Sequence, residues 1–169
     1  LLAIKGLVNI AKNETADTKI KQYLTMMNDR ADKLDLFIKD IIDYSKNKRT
    51  EVRPEKLDVT KLVHEVQENF QFLEGAEKIQ FLHEIQIQEA FTDKTRLTVI
   101  LNNLISNAIK YSPPGKTIYI TSVVEPGFVS FIIKDEGIGI PDEDKQNIFE
   151  AFFRAHNATH FQGTGLGLN

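Results

Sequence analysis

The sequence contains no cysteine and no tryptophan. Without thiols there is no disulfide and no cysteine-based metal site, a composition that suits a reducing compartment. No apolar run approaches the roughly 18 residues of a membrane span, and no secretory leader is visible. Charge of one sign is also scarce. Lys and Arg number 21 against 24 Asp and Glu, a net charge of −3, so no broad basic surface is implied and nucleic acid is not an expected partner. Proline and glycine are few and unevenly placed. The first 49 residues hold no proline and only Gly6, whereas Gly137, Gly139, Gly163, Gly165 and Gly167 crowd the end. What remains is ordinary globular composition, 41% hydrophobic and 27% charged, enough for one or two small domains. The chain opens inside a helical pattern and stops directly after a glycine motif, so a piece of a longer protein is expected.

The glycine-poor start is helical by period. Leu1, Ile4, Leu7, Val8 and Ala11 form one stripe. After a polar turn at 13–17, Ile20, Leu24, Met27, Ala31, Leu34, Ile38 and Ile41 alternate four and three apart, the seam of packed helices. Phe37, Ile42 and Tyr44 widen it. A two-helix hairpin cannot bury such a face alone, and burying each Leu or Ile stabilises by about 1.5–3 kcal/mol. The pattern therefore predicts a homodimer through residues 1–49 that builds a four-helix bundle. Residues 46–58 are charged and carry Pro54, and 50–57 read as a linker. Asp58 is placed to cap a helix over 59–70, and 81–87 has β character. Asp93 caps a helix Lys94–Tyr111 that Pro113-Pro114-Gly115 ends. The runs 117–124 and 128–134 flank Glu125-Pro126-Gly127 and predict an antiparallel hairpin. The fold class is α+β: a helical hairpin, then an α/β sandwich over 58–169 that is incomplete at its C-terminus.

The chemistry gathers in three places. Asn103, Asn107 and Lys110 or Tyr111 share one face of the helix ending at Tyr111, while Leu97, Ile100, Leu101, Leu104, Ile105 and Ala108 share the other. Amide oxygens suit Mg²⁺, a hard cation, and a lysine suits phosphate. The same pattern also fits an ordinary half-buried helix. Asp135-Glu136-Gly137-Ile138-Gly139-Ile140-Pro141 follows a β run. A carboxylate there can accept from the exocyclic amine of adenine, or simply make a turn. Gly163-Thr164-Gly165-Leu166-Gly167-Leu168 alternates glycine with other residues and can bring backbone N–H groups to phosphate, as a turn entering a helix. It lacks the preceding strand of a dinucleotide fold. The polar stretch 155–162 has the length of a mobile lid, and Phe149, Phe152 and Phe153 precede it. His156 and His160 within it read as solvated.

Taken in order, residues 103–111, 135–141, 148–154 and 163–168 resemble the N box, first glycine box, F box and second glycine box of sensor histidine kinases. The helical hairpin resembles that family's dimerisation and phosphotransfer domain. The resemblance implies a catalytic ATP-binding domain of the histidine kinase, Hsp90 and gyrase type. In it Asn107 would coordinate Mg²⁺ with Asn103 assisting, and Lys110 and Tyr111 would contact the phosphates and nucleotide. Asn103 and Lys110 would thus act at the reacting end. Asp135 would bind adenine, with Gly137, Gly139 and Ile140 shaping its pocket. Gly163, Thr164, Gly165, Leu166 and Gly167 would hinge the ATP lid. The cofactors implied are ATP and Mg²⁺, and the partner is the receiver domain of a response regulator. Location would be cytoplasmic, with any membrane anchor in other parts of the parent protein. The family's phosphoacceptor histidine would fall about six residues before Leu1, counting back from a His-x-x-x-x-Pro pattern. His64-Glu65 and His83-Glu84 imitate that pattern's start, but Asn69 and Gln88 stand where proline belongs. The alternatives are an ATP-hydrolysing clamp and a non-catalytic scaffold. The clamp places a glutamate where Asn103 stands, and an amide is no base near neutral pH.

Overall fold

The computed structural model describes residues 1–49, 51–71, 78–161 and 163–169, without the side chains at 36, 40, 43, 44 and 46–49. The expected parts played by the side chain of Tyr44 in the stripe, by Thr50 in the linker and by Gln162 in the lid stretch fall outside the described residues. The chain divides into two compact units, Leu1–Arg49 and Thr50–Asn169.

The first unit is a helical hairpin of α1 (Leu2–Glu14) and α2 (Thr18–Arg49). Asp17 starts α2 by accepting hydrogen bonds from the N–H groups of Lys19 at 2.7 Å and Ile20 at 3.2 Å, which otherwise lack partners in a first turn. Lys5 pairs with Asp32 across the hairpin. Residues 46–49, read with the charged stretch, belong to α2. The apolar stripe is divided. Val8 and Ala31 are buried between the helices, flanked by half-buried Leu1, Ala11, Leu24 and Phe37. Leu7, Ile20, Met27, Leu34, Ile38 and Ile41 stay exposed. One hairpin contact uses one narrow seam, and a stripe this wide has a second face left over.

The second unit is α+β. Strand β1 (Glu55–Asp58) pairs antiparallel with β3 (Glu89–Thr92). Strand β2 (Gln80–Ile85) runs parallel to β4 (Thr117–Glu125), which pairs antiparallel with β5 (Phe128–Lys134), giving the order β2-β4-β5. Helices α3 (Val59–Glu68) and α4 (Lys94–Tyr111) complete it. The parallel pair needs a long crossover, and the chain between β2 and β4 contains α4. Asp58 and Asp93 cap the helices as expected, accepting from Lys61 N–H at 2.9 Å and Arg96 N–H at 3.0 Å.

Several details correct the sequence expectation. Residues 55–57 of the expected linker are strand, because β3 offers them a partner. Strand β3 itself has no alternation long enough to reveal it. Helix α3 stops at Glu68, two residues short of the expected end, and β2 spans 80–85 rather than 81–87. The β4–β5 hairpin is as expected, turning at Gly127 with φ +90°. The core joins Leu57, Val59, Leu62, Val63 and Val66 to Leu101, Ile105, Ala108, Ile109, Ile118 and Ile120. Ile100, placed on the apolar face, is 53% exposed, and Ile109 takes the buried position instead. Leu101, Ile105 and Ala108 are buried as expected. Ser122 is fully buried, and its hydroxyl is satisfied by accepting from Gln86 N–H at 2.8 Å. No helix among the described residues is long and apolar enough to cross a membrane.

Candidate functional site

Helix α4 organises the site. Its buried face is locked into the core by Leu101, Ile105, Ala108 and Ile109, which turns half-buried Asn103, Asn107, Lys110 and Tyr111 to the other side. Tyr111 meets the first glycine segment, and Lys110 and Asn103 meet the second. The carbonyl of Tyr111 accepts from Ile138 N–H at 3.2 Å. A Cβ on Gly137 would come within 2.6 Å of that same carbonyl, so only glycine allows the loop to lie so close to the helix end. The Asp135 carboxylate accepts from Gly137 N–H at 2.8 Å, an Asx turn that fixes the direction of this exposed side chain.

The second glycine segment sits on the same helix. A Cβ on Gly163 would lie 2.8 Å from Lys110 Nζ, and one on Gly167 would lie 3.4 Å from Asn103 Oδ1. Lys110 Nζ donates to Tyr111 Oη at 2.9 Å and lies 4.4 Å from the centre of that ring. The Tyr111 ring also meets Phe161 edge-on at 5.0 Å between centroids. Gly165 has φ +76°, and its carbonyl accepts from Phe152 N–H at 2.9 Å. Phe152 is itself in the left-handed region at φ +68°, a strained state for a bulky residue. Leu166 is buried, so its side chain packs and only its backbone can face a ligand. Thr164 is half-buried, and Ile140 is 42% exposed. Residues 163–169 form a bend and a turn, with no helix within them.

The stretch between Arg154 and Gly163 is tied down by residues that the sequence did not single out. Arg154 donates to the carbonyls of Ala158, at 2.7 Å, and Phe161. Asn157 donates to the carbonyl of Gly139 at 3.0 Å, linking this stretch to the first glycine segment. Asp144 is 1% exposed and accepts from His156 twice, from its backbone N–H at 2.9 Å and in a contact with ring Nδ1 at 2.7 Å. His156 is exposed as expected, its side chain 77% accessible, and it is also tied to Asp144. No signal marked Asp144, because Asp142-Glu143-Asp144 reads as a solvated acidic run.

Among the described residues no group of three His, Cys, Asp or Glu stands together to hold a metal. Amide oxygens such as those of Asn103 and Asn107 are the oxygen type that suits Mg²⁺ bound together with nucleotide phosphates. The residue types fit that mode: two half-buried amides and one ammonium on α4, with Asn103 and Lys110 against the second glycine segment.

Residues 92–169 match the family described as histidine kinase-, DNA gyrase B- and HSP90-like ATPase. The aerobic respiration control sensor protein ArcB of Escherichia coli (strain K12) is 31% identical over 177 aligned positions, 99% of this chain and 23% of that protein. The sensor histidine kinase WalK of Bacillus subtilis (strain 168) is 27% identical over 155 positions, 87% of this chain and 25% of that protein. The chain thus spans about a quarter of these relatives' length. Among solved structures, the catalytic domain of histidine kinase ThkA is 32% identical with a TM-score of 0.60, covering 69% of this chain and 75% of that one. ThkA in complex with response regulator protein TrrA is 27% identical with a TM-score of 0.68, covering 90% of this chain and 46% of that one.

Proposed function

From the premise that this chain belongs to the histidine kinase-, DNA gyrase B- and HSP90-like ATPase family and is homologous to several sensor histidine kinases, we propose that it is the kinase core of such a sensor. It binds Mg-ATP in the second unit and directs the γ-phosphoryl group to a histidine outside this chain. A response-regulator aspartate then receives the group. The observation that carries this reading is that one helix face meets both glycine segments: Tyr111 under Gly137 and Ile138, Lys110 under Gly163, Asn103 against Gly167.

In the transfer the bond from γ-phosphorus to the ADP oxygen breaks and a bond to an imidazole nitrogen forms. Such chemistry needs alignment and charge neutralisation more than covalent help. Lys110 supplies a fixed positive charge, held in place by Tyr111 Oη. Asn107, with Asn103 assisting, would hold Mg²⁺, which neutralises phosphate charge when bound. Asp135 would accept from the adenine amine, with its carboxylate aimed by the Gly137 N–H. Gly163 and Gly165 let the backbone of the lid segment lie close. A position that carries Asn103 in place of a carboxylate disfavours water activation, so a kinase is favoured over a hydrolysing clamp. The first unit would dimerise through its exposed apolar face, and ATP use places the reaction in the cytoplasm.

The test is incubation of the full-length protein with γ-labelled ATP and Mg²⁺. Acid-labile, base-stable label on the protein, lost when the upstream histidine is replaced, is the expected result. Steady phosphate release without label would move the assignment to a hydrolysing clamp, and neither signal would leave a scaffold.

A further inference from the structure

His64 on α3 and His83 on β2 stand together, ring centroids 5.0 Å apart and planes tilted by 53°. Both belong to the His-Glu pairs that imitate a phosphoacceptor motif, and neither serves the nucleotide site. His83 shares a strand face with Phe81 and Ile85 and registers opposite the buried Ile120 of β4. Its ring stacks with Phe81 at 6.4 Å and 8°.

A second observation points the same way. Gln67, one turn on from His64, has a buried Oε1 with no hydrogen-bond partner among the described residues. Leaving such an acceptor unpaired costs about 1–3 kcal/mol. Gln67, His64, Glu68 and Phe81 line one hollow of about 330 Å³, which neither His83 nor any glycine-segment residue lines. The spacing of the rings has a simple meaning. Two imidazoles on one tetrahedral ion, each with its nitrogen at about 2.0–2.1 Å, place their ring centres roughly 5 Å apart.

We propose that His64 and His83 form a two-imidazole site for a borderline transition-metal dication such as Zn²⁺ or Cu²⁺, stapling α3 to β2. No group of three His, Cys, Asp or Glu that could hold a metal stands among the described residues, and in the proposed site water fills the remaining positions. A metal-bound water is a donor for Gln67 Oε1, and Glu68 adds negative charge at the rim. Imidazole ligands rank Cu²⁺ above Zn²⁺ and leave Mg²⁺ to the oxygen-rich nucleotide site. The site is independent of the kinase reading, since its test uses no nucleotide.

The chain, stripped with a chelator and dialysed, is titrated calorimetrically with Zn²⁺ alone and with Cu²⁺ alone, and its melting is followed in parallel. One ion per chain, tighter Cu²⁺ than Zn²⁺, and a higher melting temperature with metal are expected. His64→Gln and His83→Gln should each weaken binding about tenfold or more, while His156→Gln should not. Circular dichroism checks that the variants fold, and His64, exposed on its helix, keeps the test decisive should His83→Gln unfold. Absence of binding, binding unchanged in His64→Gln, or binding lost with His156→Gln would overturn the proposal.

Discussion

Gly137 shows how much of the site rests on one missing side chain. A Cβ there would meet the Tyr111 carbonyl at 2.6 Å and the Asp135 carboxylate at 2.7 Å, and a backbone carbonyl at a helix end has little room to yield. Gly137→Ala is expected to weaken ATP binding at least about tenfold and to lower the melting temperature, since overpacking costs about 1–3 kcal/mol; titration calorimetry and thermal melting check both. Asn107→Ala should abolish Mg-ATP-dependent phosphorylation of the full-length protein while sedimentation still finds a dimer. Normal phosphorylation would remove Asn107 from the site. Asp135→Asn keeps the Asx turn but loses the charge, and should weaken nucleotide binding by about 1.5–3 kcal/mol, the size of a charged hydrogen bond. At this scale the sequence was informative where a residue type has few uses. Spaced glycines and paired asparagines stood out. Asp144 did not, because one carboxylate among several in a surface run says nothing about which is buried.

At the scale of elements, the caps hold the second unit in order. Asp93 caps α4 and also accepts from Arg53 N–H at 2.9 Å, joining the segment before β1 to that helix. The Arg53 N–H first, then the Arg96 N–H, hold its carboxyl below the usual carboxylate range. The unfolded chain therefore binds the proton more readily than the folded one. The stabilisation is complete above an ordinary Asp value of about 3.9 and is lost as pH falls through the depressed folded value. The urea midpoint should drop more steeply below about pH 4 in the natural protein than in Asp93→Asn; equal slopes would show that another group governs. The stretch 155–161 depends likewise on Asp144. Asp144→Asn should speed amide exchange at His156 and its neighbours without altering exchange in β4 and β5. The helices were legible because Asp58, Asp93 and Pro113 mark their ends. Strands β1 and β3 were not, since four-residue strands carry too little alternation and owe their shape to each other.

For the whole molecule, the exposed apolar face of the first unit is the outstanding feature. Ile20, Met27, Leu34, Ile38 and Ile41 are each between 38% and 55% exposed, an extent of apolar surface that soluble monomers rarely leave open. Leu34→Asp with Ile38→Asp is expected to turn a dimer into a monomer in analytical ultracentrifugation and to make helix melting independent of concentration. A dimer that survives both changes would show that the contact lies elsewhere.

The sequence by itself determined the helical hairpin, the caps, the β4–β5 hairpin and the order of nucleotide motifs, because periodicity, capping residues and glycine spacing act within a few residues of each other. Only the tertiary structure decided that Ile109 and not Ile100 is buried on α4, that β2 runs parallel to β4, and that Asp144 and Asn157 hold the segment before the second glycine motif. It also brought His64 and His83, remote in sequence, to within 5.0 Å. These depend on contacts between segments far apart in the chain, and no local pattern encodes the partner of a residue that finds it only when the core closes.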